Sequence, residues 1–186
     1  MMNISRIPRR PAGYHFASAV VLGLAIVGTG GSSPVSGQSA VSAQALKPCE
    51  LLTTAEIQPL TAKESVPDGV SSSLQAFGSA TCRYTWGVGV DRVKLDVNVY
   101  EAPRMFPGMS PDQINQRLLQ SVRAGTADAV ISDVGDAAVF KVDSPLYVSA
   151  TASSRGHILA VHLDGLDALD KKDQLIALLK SAVSRL

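Results

Sequence analysis

The sequence has few of the residues from which redox, metal and hydrolytic sites are usually built. Its 186 residues include two cysteines and three histidines, and the cysteines lack the Cys-x-x-Cys spacing that lowers a thiol pKa. No Gly-x-Ser-x-Gly elbow occurs, and no glycine-rich phosphate loop or dinucleotide fingerprint follows a predicted strand. We therefore expect no cofactor, no metal ion and no enzymatic activity.

Charge is also scarce. The formal net charge is +1, with 17 Lys and Arg residues against 16 Asp and Glu. The first 45 residues contain no acidic residue and three arginines. The rest of the chain therefore has 14 basic and 16 acidic residues, a net charge of −2. Neither a basic stripe nor an acidic tail is present, and we expect no nucleic-acid partner.

The N-terminus has the pattern of an export signal. Arg6, Arg9 and Arg10 precede an apolar run at 16–27, which is about as long as the hydrophobic region of a signal peptide. Ala43-Gln44-Ala45 is the best cleavage signature, although its distance from the apolar run leaves earlier cleavage open.

Two consequences follow for location and domain organisation. Residues 1–45 are predicted to be a signal peptide and flexible linker, and 46–186 a single α+β domain of ordinary size. Cleavage would leave no stable membrane span, so we expect an exported protein, periplasmic or extracellular.

Export makes a disulfide chemically possible. Cys49 and Cys82 allow one intramolecular pairing, which would close a loop of 34 residues. Such a loop is expected to stabilise the fold by about 3–4 kcal/mol. The alternative, a redox pair, is disfavoured by the spacing.

Two helix starts carry capping boxes. Thr53 and Glu56 have the required spacing, and Ser110 and Gln113 repeat it around a proline at the first helical position. The chain should end on an amphipathic helix over about 170–185.

Alternation of apolar and polar residues predicts the strands. It is clearest from Arg92 to Tyr100, where four apolar residues face one way. Short turns indicate hairpins, so we expect an α+β fold in which an antiparallel sheet of about five to six strands has helices packed on one face. The segment 64–78 is predicted to be an irregular connection. The remaining predicted strands are 81–86, 129–133, 137–142, 146–152 and 157–163.

Four short motifs resemble a family of exported domains of unknown function that is common among actinobacterial cell-envelope lipoproteins. They are Pro48-Cys49-Glu50-Leu51-Leu52-Thr53, Thr81-Cys82-Arg83-Tyr84-Thr85-Trp86, Val134-Gly135-Asp136-Ala137-Ala138 and the C-terminal amphipathic helix. The resemblance implies a PsbP/Mog1-like architecture, an antiparallel sheet flanked by helices. The lipid-attachment cysteine usual in that family is absent here.

Histidine chemistry provides one alternative function. His162 and Asp164 share a strand face, so a hydrolase-like enzyme using this pair is an open hypothesis. His157 and His162 would point to opposite faces of one strand, which disfavours a shared metal site.

Apolar residues in loops provide the leading hypothesis. Met105, Phe106 and Met109 lie in a proline-broken connection, and Phe77 lies in another loop. Methionine and aromatic side chains are favoured at adaptable binding surfaces, so these four residues are predicted to contact an envelope protein or a small apolar ligand. They could instead fold back to seal the core, and a purely structural envelope protein is a further alternative.

Overall fold

A computed structural model describes residues 47–61, 64–74 and 78–186, which all lie within one compact unit. The signal peptide and linker predicted for 1–45 fall outside these residues, as does Phe77. None of the helices in the described ranges is long and apolar enough to cross a membrane.

The centre of the fold is an antiparallel sheet of seven strands in the order β1-β2-β3-β7-β6-β5-β4. Consecutive hairpins build β1-β2-β3 and β4-β5-β6-β7, and β3 joins the two halves by pairing with β7. The strands are β1 (Val70–Leu74), β2 (Ser79–Trp86), β3 (Val93–Glu101), β4 (Ala129–Val130), β5 (Ala137–Ser144), β6 (Tyr147–Ser154) and β7 (His157–Asp164).

Of the described α-helices, the first and third begin at capping boxes, the second follows directly from a strand and the fourth continues from a 3-10 turn. Both predicted capping boxes are present: Thr53 N–H donates to Glu56 Oε2 at 2.8 Å, and Ser110 N–H donates to Gln113 Oε1 at 2.8 Å. The helices are α1 (Thr54–Ile57), α2 (Ala102–Met105), α3 (Pro111–Arg123) and α4 (Lys172–Ser184), with 3-10 turns at Pro48–Glu50, Gln58–Leu60, Gly89–Asp91 and Leu169–Lys171.

The main core lies between α4 and the first face of the sheet. The alternation predicted for β3 is confirmed, because its four apolar residues are all buried. α4 packs across β6 and β7, and burying its apolar stripe supplies most of the force that holds it there. Its buried residues are Leu175, Leu178, Leu179, Ala182 and Val183.

The prediction that the helices pack on one face was wrong. α3 lies on the second face, where Ile114 packs with Ala102 and Ile158 in a separate apolar cluster. Asn115 of α3 also accepts a hydrogen bond from Ser153 Oγ at 2.5 Å. The apolar stripe of α3 shows that the helix has one buried side, but only the tertiary structure determines which sheet face it covers.

The expected count of five to six strands was also too low. Residues 70–74, predicted to be irregular, form β1, and all five are exposed. Their sequence, Val-Ser-Ser-Ser-Leu, has no buried face to produce an alternating pattern, so the strand is held by backbone pairing with β2.

Candidate functional site

The predicted disulfide is confirmed and ties the N-terminal segment to the sheet. The sulfur atoms of Cys49 and Cys82 are bonded, and the two Cα atoms lie 5.0 Å apart. Gly69 lies directly against Cys82 Sγ and the ring of Tyr84, where a Cβ atom would collide with both. The bond therefore positions both the 3-10 turn at Pro48–Glu50 and the segment that leads into β1.

The predicted binding segment at 105–109 is divided between packing and exposure. Phe106 and Met109 pack against the second apolar cluster, and the Arg117 guanidinium lies 5.5 Å from the centre of the Phe106 ring. Met105 is 45% exposed at the end of α2. Met105 therefore stays a predicted contact residue, whereas Phe106 and Met109 pack between α2, α3 and the sheet.

His162 and Asp164 have different hydrogen-bond partners. His162 Nδ1 lies 2.9 Å from the Tyr147 hydroxyl, and the two rings are stacked with their centroids 5.8 Å apart. Asp164 accepts a hydrogen bond from Lys94 Nζ at 3.2 Å. His162 and Asp164 are therefore not hydrogen-bonded to each other as the hydrolase hypothesis requires.

The surroundings of His162 favour its neutral form. Burial lowers the pKa of its imidazole, and the nearby charges of Asp96 and Asp143 oppose that shift only in part. Asp96 lies opposite His162 in the sheet register, but it accepts two hydrogen bonds from Arg83 at 2.7 and 2.8 Å. This carboxylate is therefore engaged with arginine. No group of three or more His, Cys, Asp and Glu side chains in the described ranges is arranged to hold a metal ion.

A concavity lined mainly by polar and charged residues lies on the second face beside β1. Its volume is about 510 Å³, and its walls come from neighbouring positions of β1, β2 and β3 and from the segment before β1. The sheet contacts of α3 are mainly with β4, β5 and β6, at the other side of this face. The lining residues are Asp68, Val70, Ser72, Thr81, Arg83, Thr85 and Asn98.

The largest group of exposed apolar side chains lies on three turns at one end of the sheet. Val88 and Val90, on the turn between β2 and β3, are 82% and 87% exposed. Leu146 lies on the turn between β5 and β6, and Leu166 and Leu169 lie between β7 and α4; all three are exposed. These five residues, here called the apolar rim, are half of the ten large exposed apolar residues in the described ranges.

Backbone hydrogen bonds join the turn between β5 and β6 to the segment between β7 and α4. Gly165 N–H donates to the Leu146 carbonyl at 2.9 Å, and Leu169 N–H donates to the Pro145 carbonyl at 3.3 Å. Gly165 also lies so close to Val93, at the start of β3, that a Cβ atom would come within 2.9 Å of that side chain. The rim residues therefore lie on turns at the same end of the sheet, which is the opposite end of β3 from Met105.

Carboxylates lie between the apolar residues of the rim. Residues 87–92 and 165–171 contain Asp91, Asp167 and Asp170 and two basic residues, Arg92 and Lys171, so these two turns carry a net charge of −1. In the described part of the chain, none of the three carboxylates forms an ion pair. The rim thus combines apolar side chains with a small excess of negative charge.

Sequence reasoning missed the rim. Its residues occur singly or as a Val-Gly-Val turn, and a single exposed apolar residue is unremarkable on a protein surface. The available signal was the run Gly87-Val88-Gly89-Val90, in which each valine follows a glycine with positive φ. A valine in such a tight turn has no neighbouring strand residue to cover it.

Comparison of the chain with protein-family models, with curated proteins and with solved structures found no match. The resemblance to exported actinobacterial domains therefore stays a prediction, based on the short motifs alone.

Proposed function

We propose that this protein is a non-enzymatic, exported domain of the cell envelope that binds a protein partner through the apolar rim. The observation that carries the proposal is the grouping of five exposed apolar side chains on three adjacent turns. Contiguous exposed apolar surface with polar residues around it marks interaction sites in soluble proteins.

A protein partner is favoured over a small apolar ligand. The rim side chains project from turns instead of lining a cavity, whereas small-molecule sites are concave and enclose their ligand. Phe106 and Met109, which were predicted to contact a protein partner or a small apolar ligand, pack against the second cluster. Met105 remains a proposed second contact at the far end of the sheet.

The charge of the rim indicates the chemistry of that partner. Asp91, Asp167 and Asp170 would face a partner that bears lysine or arginine beside its own apolar anchors, because charges of opposite sign steer association and disfavour wrong partners. The same carboxylates disfavour insertion into a membrane with anionic lipids.

Export is supported by the disulfide. Bonds of this kind form and persist in oxidising compartments and are rare in the cytosol. A periplasmic or extracellular location places the rim where envelope proteins are accessible to it.

Photo-cross-linking tests the proposal. p-Benzoylphenylalanine is introduced in place of Leu166, or in place of Val130, an exposed residue of β4, and the chain is irradiated in intact cells. We expect a discrete cross-linked band from position 166 and none from position 130. In the chain with the cross-linker at 166, Val88→Ser with Val90→Ser should lower the yield about tenfold or more, since central anchors of an interface contribute about 2 kcal/mol each.

The matched control is Val130→Ser, which should leave the yield from position 166 unchanged. Equal yields from positions 166 and 130, or no discrete band, would contradict the proposal. Co-sedimentation with vesicles of phosphatidylcholine and phosphatidylglycerol that depends on Val88 and Val90 would assign the rim to a lipid surface instead.

A further inference from the structure

β1 is an edge strand whose outer side has no partner among the described residues. It is the terminal strand of the sheet order and pairs with β2 along its full length, from Val70 opposite Arg83 to Leu74 opposite Ser79. Val70 and Leu74 are 69% and 64% exposed. One edge of β1 thus presents backbone N–H and C=O groups to solvent.

The strand lacks most of the features with which proteins usually protect an edge. Residues 70–74 contain no charged residue and no proline, and their register against β2 has no bulge. The close packing of Gly69 against the disulfide and Tyr84 also holds the start of the strand in place. β1 is therefore a preformed edge that another strand can join.

The sequence of β1 is complementary to itself in the antiparallel direction. A two-fold axis through Ser72 would place Ser72 opposite its own copy, Ser71 opposite Ser73, and Val70 opposite Leu74. Because side chains alternate along a strand, Val70, Ser72 and Leu74 share one face. Each exposed Val70 would then cover an exposed Leu74 of the other copy, and the serine side chains of the two strands would lie opposite one another.

We propose that β1 pairs antiparallel with β1 of a second copy of this chain, which forms a two-fold symmetric dimer with one continuous sheet. This interface is isologous, as in most homodimers. The uncharged strand introduces no repulsion between like charges across the axis. The open concavity beside β1 would be adjacent to its symmetry mate, forming one polar trough on the second face.

The dimer is expected to be weak. An interface built mainly from one five-residue strand on each side falls below the roughly 1,200 Å² that stable interfaces bury. Self-association should therefore appear as a mass that rises with protein concentration.

Sedimentation velocity of the purified, non-reduced protein tests the inference over about 5–500 μM. We expect the weight-average mass to rise from one chain towards two. Ser72→Lys places two like charges directly opposite each other on the axis, which destabilises strand pairing, and it should weaken dimerisation at least tenfold. Ser72→Glu should do the same, whereas an equimolar mixture of the two variants should dimerise at least as well as the wild-type protein.

Val130→Lys is the matched control, because it adds the same charge at the opposite edge of the sheet. It should leave the dimer intact. A monomer mass at every concentration, a dimer insensitive to both Ser72 variants, or failure of their mixture to recover would overturn the inference. The apolar rim is not involved in this pairing, so Val88→Ser with Val90→Ser should not change it.

Discussion

At the scale of single residues, two adjacent side chains of the 105–109 segment have opposite environments: Met105 is exposed and Phe106 is packed. Phe106 packs with Ala102, Ile114 and Ile158 beneath α2, while Met105 extends into solvent one position earlier. The cation–π contact with Arg117 also links the Phe106 ring to α3. A substitution at Phe106 therefore affects the fold, whereas one at Met105 changes only the surface.

Phe106→Ser should lower the free energy of unfolding by about 1–3 kcal/mol, less than for a fully buried phenylalanine because the ring is only partly buried. Met105→Ser should change it by less than about 0.5 kcal/mol. Urea titration followed by circular dichroism measures both values. Equal effects of the two substitutions would show that the packing of Phe106 contributes no more than the exposed methionine.

At the scale of elements, the two ends of the described domain are joined by an ion pair. Arg185, just after α4, donates to both carboxylate oxygens of Glu56 at 2.9 Å and to the Leu51 carbonyl at 2.6 Å. The hydrogen bonds from Arg185 are the main cause that lowers the pKa of Glu56 from 4.5 to about 2. The N-terminal segment is thus attached to the end of α4 through Glu56 and to β2 through Cys49.

This pairing predicts a defined pH dependence. Because the folded-state pKa of Glu56 is depressed, its contribution to stability is complete above about pH 4.5 and is lost as the pH falls towards 2. Glu56→Gln should lower the melting temperature at pH 6 by a few degrees, and the difference from wild type should shrink between pH 4.5 and 2. Scanning calorimetry across this range is the measurement.

Arg185→Gln provides the second variant, since it removes the same pair from the other side. It should reduce the acid sensitivity of the melting temperature as Glu56→Gln does. A difference from wild type that stays constant from pH 6 to 2 for both variants would rule out this ion pair as the source.

At the scale of the whole molecule, the disulfide and the hairpin order decide which surfaces are open. α4 covers the first face of the sheet, and α3 covers the second face over β4, β5 and β6. The concavity, the β1 edge and the apolar rim are left exposed. The rim and the β1 edge are different surfaces. Binding of a partner at one and pairing of two copies at the other can therefore occur together.

Loss of the disulfide should weaken the entire fold. Replacing both Cys49 and Cys82 with alanine should lower the free energy of unfolding by about 3–4 kcal/mol, mainly because the 34-residue loop is no longer closed in the unfolded chain. Urea unfolding of the variant beside the wild type measures this loss. A change below about 1 kcal/mol, or free thiols in the non-reduced wild-type protein, would contradict the role given to this bond.

Local patterns predicted those parts of the fold whose signal lies within a few consecutive residues. The capping boxes at Thr53 and Ser110 and the alternation in β3 are of this kind, because each depends on spacing along one element. β1 was missed because its serines carry no burial signal. The rim was missed because Val88 and Leu166 are distant in sequence and come to the same end of the sheet only when their strands pair.

By itself, the sequence determined the disulfide pairing, the helix starts and the buried side of the central strands, since two cysteines allow one intramolecular bond and periodicity reveals which side of an element is apolar. Only the tertiary structure decided that α3 covers the second face, that Val70–Leu74 forms an edge strand and that five separate apolar residues make one rim. Those features depend on contacts between elements far apart in the chain, and no local pattern encodes them.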